Sequence, residues 1–205
     1  MLSVLTNPDG FFASRVEDPQ PLRAAAVVLV VALIGAISGY LTIQRMVSGL
    51  PSDVAFAGTI ALVFGVGGSL IGPFFIWGLY TAVFYVLSLV FDPEGSFKQL
   101  AVFTAWGFVP SIINGLIGVV ILFMVLGQVQ LPTTAQGAAQ FQAQLQQNSL
   151  YQLSILLGIV FSLWRGFIWT FAVKHARSLS LRESAIVVGI PVGLGILFTV
   201  VSNLL

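Results

Sequence analysis

Cysteine is absent from this chain, histidine occurs once, and Lys, Arg, Asp and Glu together make up only 7% of its 205 residues. The first absence excludes disulfides, thiolate nucleophiles and cysteine metal centres. A single His, with no carboxylate inside any apolar run, leaves an intramembrane metal site without a set of ligands, and no cofactor is expected. Soluble domains carry about 25% charged residues. At 58% hydrophobic residues and a mean hydropathy of +1.02, a water-soluble fold could not cover its own surface with polar groups. The lipid bilayer is the expected partner, and nucleic acid is not.

Catalytic signatures are missing as well. There is no His-Glu-x-x-His, no Gly-x-Ser-x-Gly and no phosphate-cradling Gly-x-x-x-x-Gly-Lys. His175 lies in a basic loop with no buried carboxylate to orient it. Intramembrane proteolysis needs an acid pair, or a Ser with a His, inside the bilayer, and only serines are there. The expectation is a protein without enzymatic activity.

What charge there is falls in a pattern. Of eight Lys and Arg and seven Asp and Glu, all but Arg165 sit in short gaps between long apolar stretches. Crossing about 30 Å of hydrocarbon takes roughly 20 residues of helix. Unpaired backbone groups in lipid restrict spanning structures to helices or closed barrels. The runs far exceed the ~10-residue strands of a barrel and lack its alternation. The expected fold class is therefore all-α: a polytopic membrane bundle of five transmembrane helices at about 24–44, 70–91, 108–127, 150–173 and 184–205, with an outer loop at 128–149.

Two of the five blocks are overlong. The 38 residues of 54–91 would reach ~57 Å as a straight helix, more than tilting absorbs. They carry Gly65, Gly67, Gly68, Gly72 and Pro73, so an outer half-segment at 54–67 and a break at Gly72-Pro73 are expected. The block 99–127 carries Pro110. Residues 97–109 are expected to lie along the inner interface, with the third crossing starting near Pro110. The second and third spans are thus expected to be kinked or broken. Splitting 54–91 into two crossings is disfavoured, because two residues are too few to turn a helical hairpin in lipid. With five spans, Arg15, Arg23, Lys98, Lys174, Arg177 and Arg182 share one side and Arg45 lies opposite. The positive-inside rule then makes the N-terminus cytoplasmic and the C-terminus outside.

No cleavable signal peptide is expected, since the first residues lack a basic region and Pro8 and Asp9 interrupt the apolar run. Asn7-Pro8 is a good helix start, with Asn as cap and Pro in the first turn. Phe11, Phe12 and Val16 give residues 1–23 an apolar edge beside Arg15, so a short helix lying in the headgroups is expected. The uncharged stretch 135–147 sets Ala138, Phe141 and Leu145 on one helical face. It reads either as an interfacial helix or as a polar loop.

Arg165 is the sharpest candidate. A charge inside a span costs a few kcal/mol on insertion scales and needs a cavity, a partner or a phosphate; otherwise its long side chain snorkels to the interface. It has no intramembrane acid to pair with. Asn114, one turn after Pro110, and carbonyls freed near Gly72-Pro73 are the acceptors on offer. The small-xxx-small patterns Gly35–Gly39, Gly68–Gly72 and Gly189–Gly193 permit close helix approach.

Three places resemble the Yip-domain family, five-span membrane proteins named for eukaryotic members that bind Rab-type GTPases. Asn7-Pro8-Asp9-Gly10-Phe11-Phe12 is similar to the family's Pro-x-x-Phe-Phe entry before the first span. Gly95-Ser96-Phe97-Lys98-Gln99-Leu100 and then Pro110 resemble its second cytoplasmic gap and proline-kinked third span. His175-Ala176-Arg177-Ser178-Leu179-Ser180 looks like its last inner loop. The resemblance implies a five-helix bundle with a cytoplasmic N-terminus. Only about 23 residues precede the first span, against the long N-terminal region of eukaryotic members, which counts against GTPase binding and for a prokaryotic cell-membrane version. Two functions are expected to compete. One is a scaffold or adaptor organising membrane proteins or lipids, with self-association. The other is a small lipid or anion transporter or channel built on the broken helices and Arg165.

Overall fold

The computed structural model describes residues 2–48, 55–129 and 135–204. Val54 and Leu205, at the limits of two expected segments, and residues 130–134 of the expected outer loop lie outside them. The described residues form α1 (Ser3–Thr6), α2 (Pro8–Ala13), α3 (Pro21–Ser48), α4 (Ala55–Ser88) with a 3-10 turn at Leu89–Phe91, α5 (Phe97–Trp106), α6 (Val109–Leu126), α7 (Ala135–Gln147), α8 (Ser149–Arg177) and α9 (Leu181–Leu204). Five stretches are long and apolar enough to cross a membrane: α3, α4, the α5–α6 pair, α8 and α9.

Local chemistry accounts for most boundaries. The Asn7 side chain accepts from the Gly10 amide at 3.1 Å and caps α2. Ser96 caps α5 by accepting from the Gln99 amide at 3.2 Å. Ser180 and Glu183 form a reciprocal capping box at the start of α9, with bonds of 2.8 and 3.3 Å. Pro110 sits in the first turn of α6, where its missing N–H costs nothing.

The second span departs from expectation. No break occurs at Gly72-Pro73: α4 is continuous from Ala55 to Ser88 with Pro73 inside it. The reason is its neighbour. Gly39 of α3 lies so close to α4 that an added Cβ would stand 2.6 Å from the Ser69 hydroxyl. The Ser69 carbonyl, which Pro73 cannot satisfy, lies against Gly35. A tightly packed partner holds the helix through its proline. Of the three small-residue patterns, Gly35–Gly39 is thus used inside the chain, whereas Gly68, Gly72, Gly189 and Gly193 meet nothing within 4 Å.

The third span is broken, at Gly107-Phe108. Gly107 is required there because any Cβ would collide with the Trp169 ring. The expectation that 97–109 lies along the interface is wrong. Leu100, Val102, Phe103, Thr104, Ala105 and Trp106 of α5 are all buried, and α5 fills the centre of one end of the bundle. Carbonyls near its end take indole donors: Trp77 donates to Ala101 at 2.7 Å and Trp169 to Thr104 at 2.8 Å.

The N-terminal helices also go inward rather than lying in the headgroups. Val4, Phe11 and Phe12 are buried. Phe11 meets Trp106 edge-to-face at 5.1 Å, and Phe12 packs on Phe103 at 5.0 Å. The docking is tied by charge, because Asp9 Oδ1 accepts from Lys174 Nζ and contacts His175 Nε2, both at 2.7 Å. His175, expected to lack a carboxylate to orient it, therefore has one, half-exposed and on another helix. Hydrogen bonds from Lys174 and then His175 hold the Asp9 carboxyl below the ordinary carboxylate range. A depressed carboxyl contributes stability that is complete above its unfolded value, near pH 3.9, and lost as pH falls through the folded one. The melting temperature in detergent is accordingly expected to fall more steeply on acidification below about pH 4 in the parent chain than in Asp9→Asn. Parallel curves would refute this.

Arg177 joins the same end. It is buried, donates from Nε to the Ser88 hydroxyl at 3.1 Å and from Nη1 to the Gly95 carbonyl, and lies 4.5 Å from the Tyr85 ring centre. Gly95 has φ +89°, and a Cβ there would strike the Ala176 carbonyl. At the opposite end, Asn148 donates to Gln128 at 2.9 Å and Tyr151 to Asn203 at 3.4 Å.

The two ends differ in packing. The buried residues of α8 all lie from Gly166 to Arg177. Those of α3 lie in its first half and those of α9 near its start, while Thr81, Phe84 and Ser88 mark the last turns of α4. The bundle is dense around α1, α2 and α5 and loose toward α7. Arg165 stands where one regime gives way to the other.

Candidate functional site

Arg165 lies twelve residues before the end of α8 and sixteen after its start, roughly 18 and 24 Å along the helix. Its guanidinium sits 4.9 Å from the Trp169 ring centre, 5.7 Å from Phe108 and 5.8 Å from Tyr80. Such aromatic faces stabilise a cation where water is scarce. Its polar contacts are weak: Nη1 donates to Ser111 and Nη2 to Ser162, each at 3.4 Å, while Nε is enclosed with no acceptor. Both contacts lie beyond the usual N–H···O range and go to neutral hydroxyls. Neither Asn114 nor a carbonyl near Pro73 accepts from it.

Those residues share its cavity all the same. A space of about 400 Å³ between α3, α4, α6 and α8 is lined by Arg165, Ser111, Asn114, Gly72, Pro73 and Ser38, among others. The arginine therefore lines a cavity between helices within the span. Gly72, which has no side chain, and the compact ring of Pro73 leave the space open. Pro110 starts the helix whose first turn carries Ser111.

The electrostatics of this cavity have one sign. The start of α6 abuts it through Phe108 and Ser111, and its N-cap residue, Phe108, offers no side-chain acceptor. At that start Pro110 has no amide hydrogen and the Ser111 amide already donates to the Phe108 carbonyl at 2.9 Å, so the helix contributes its dipole rather than a set of free amides. Arg165 adds a full charge. Among the described residues it forms no ion pair, and no Asp or Glu lies in an apolar run of the sequence. The cavity thus carries a positive charge and, among the described residues, no acid.

A second cavity of about 390 Å³ adjoins the first, sharing Ser38, Asn114 and Gly115. Thr42, Tyr151 and Ser154 add polar groups, and Ile121, Leu122, Val125 and Leu157 make most of it apolar. Its far wall is α7, which forms a helix as one reading of 135–147 expected and turns Phe141 and Leu145 inward. The side chain of Ala138 lies outside the described residues.

The family-like motif residues are elsewhere, in the dense end. Pro8, Phe11 and Phe12 pack inside, Gly95 accepts from Arg177, Ser96 caps α5 and Phe97 meets Tyr85 edge-to-face at 5.4 Å. Lys98 is exposed near Val16 and Glu17. They build the closed floor rather than the cavity. Trp169, Tyr80 and Phe108 are site residues that the sequence analysis did not single out. Their signal was proximity to Arg165 in one case and to Pro110 in another.

Sequence comparison agrees with this architecture. A profile of the Yip1 domain matches residues 2–202. An uncharacterized protein of Methanocaldococcus jannaschii is 30% identical over 128 residues, covering 60% of this chain and 88% of that one. No solved structure matches the chain.

Proposed function

Since this chain belongs to the Yip1 domain family, we propose that it is a non-enzymatic integral membrane protein that organises anionic lipids by taking an anionic amphiphile into its bundle at Arg165. The supporting observation is an arginine that lines a cavity with no acid partner among the described residues and with its Nε left without an acceptor. Broken helices whose half-helix starts face anionic groups are a recurrent membrane device for such ligands. The second, mostly apolar cavity supplies room for a chain. The dense floor of Trp106, Phe103, Phe12 and Trp169 supports access from the α7 end alone.

The same chemistry bears on orientation. Arg15, Arg23, Lys98, Lys174, Arg177 and Arg182 belong to the α1–α2 end and Arg45 to the other, so the dense end faces the cytoplasm of a prokaryotic cell membrane. A scaffolding role toward proteins draws on a separate observation. Gly189 and Gly193 of α9 have open space before them, as a helix–helix contact with a second chain requires.

Because the chain lacks cysteine, single thiols can report access. A membrane-impermeant maleimide is expected to label Ser154→Cys from the α7 side, and an anionic single-chain amphiphile, but not a zwitterionic one, to slow that labelling several-fold. Thr104→Cys, in the sealed end, should stay unlabelled from either side. Equal protection by both amphiphiles, or rapid labelling of Thr104→Cys, would contradict the reading.

A further inference from the structure

A second basic site lies at the dense end, apart from Arg165. A pocket of about 310 Å³ is lined by Arg15, Gln20, Arg23, Ala26 and Trp106. It sits where the chain leaves α2 and enters α3 at Pro21, the start of the first candidate membrane span. We propose that it binds the phosphate of an anionic phospholipid, whose chains run along the outer face of α3.

Four observations carry this. Neither Arg15 nor Arg23 forms an ion pair among the described residues, although Glu17 and Asp18 are near in sequence; Asp18 instead accepts from Gln20 at 3.4 Å. Both guanidiniums are nonetheless held in place. Arg15 donates from Nη1 to the Phe11 carbonyl at 2.9 Å and to Ser14 at 3.1 Å, and lies 3.8 Å from the Phe11 ring centre. Arg23 donates from Nη1 to Gln20 Oε1 at 3.1 Å. Two fixed, planar donors without a carboxylate match a phosphate.

Donors are also left over. Arg15 Nε and Trp106 Nε1 are both enclosed and have no acceptor within the chain, an arrangement that native proteins rarely keep without use. Gln20, which positions Arg23, holds a left-handed φ of +52° without being glycine. Such strain concentrates at ligand clamps.

The fourth observation decides for a lipid over a free anion. Beyond the pocket α3 presents Leu22, Leu29, Val30 and Leu33, all exposed, as a continuous apolar surface for acyl chains. A soluble phosphate would have no use for it.

The test is native mass spectrometry of the full chain released from nanodiscs of mixed phosphatidylglycerol and phosphatidylcholine. The parent chain is expected to retain phosphatidylglycerol in preference. Arg15→Gln/Arg23→Gln should lower that preference about tenfold, as loss of charge-assisted hydrogen bonds does. Should the double variant fail to fold, Arg23→Gln alone still decides, because Arg23 is exposed and bonds only to Gln20; Arg23→Lys should recover part of the effect. In an Arg165→Met background, where the bundle cavity no longer contributes, Arg23→Gln should still lower the preference, which separates the site from that cavity. An unchanged preference in Arg23→Gln overturns the proposal. So does displacement of the lipid by millimolar inorganic phosphate, which would make the ligand a free anion.

Discussion

Replacing Trp169 by alanine is expected to destabilise the bundle by about 3–5 kcal/mol, the range for truncating a fully buried large aromatic. Trp169 has no exposed surface. It packs against Tyr80 at 4.4 Å, Phe84 at 5.3 Å and Phe108 at 5.4 Å between ring centres. Its indole donates to the Thr104 carbonyl at 2.8 Å, near the end of α5. Gly107 is glycine because this ring occupies the space a Cβ would need. Truncation therefore opens a cavity, removes one of the two donors to the Thr104 carbonyl at the helix break and removes the aromatic face beneath Arg165 at once. Trp169→Phe keeps a ring but loses the donor; the Thr104 carbonyl still accepts from the Gly107 amide at 3.1 Å, so only about 0.5–1.5 kcal/mol is expected for the one lost hydrogen bond. Circular dichroism during thermal unfolding in a mild detergent reads both. An unchanged melting temperature for Trp169→Ala would mean that the floor is not packed as described.

The second large effect concerns Arg165, and it has opposite signs on two readouts. A buried cation without a paired acid lowers stability, and exchanging such charges for apolar groups of similar volume is often neutral or stabilising. Arg165→Met is therefore expected to match or exceed the parent chain in thermal stability without ligand. It should bind an anionic amphiphile roughly 10- to 100-fold more weakly, the equivalent of a lost charge-assisted contact at 1.5–3 kcal/mol. Arg165→Lys should fall between, since an ammonium keeps the charge but not the planar fork. A residue that only held helices together would lose stability on replacement and leave affinity alone.

How much of this could be read beforehand depends on the kind of signal. Arg165, Asn114, Pro73 and Pro110 each stand out in one dimension, as a charge, an amide or a helix breaker inside an apolar run. The first three line one cavity, and the fourth begins the helix that borders it. The number of long apolar helices, the Asn7 cap and the grouping of three basic segments at one end were legible for the same reason, and α7 matches one of the two readings left open. The continuity of α4 through Pro73 was not, because what holds it is α3, a tertiary partner. The burial of α5 and of Phe11 and Phe12 was hidden too. In lipid the outer face of a helix is as apolar as its packed face, so periodicity does not tell the two apart. Asp9 and Lys174 are 165 positions apart, and Arg177 reads as an ordinary loop cation until α8 is seen to extend to it. Charges counted for topology turned out to have partners.

The account rests most heavily on Arg165 as a receptor for negative charge inside the bundle. Titration of the purified protein with a fluorescent single-chain amphiphile, in anionic and zwitterionic forms, on the parent chain and on Arg165→Met, tests it most directly. The account predicts that the anionic form binds the parent chain at least tenfold more tightly than Arg165→Met, as a single charge-assisted contact implies, and that the zwitterionic form does not distinguish them. Equal affinities of the anionic form for the two proteins would contradict it.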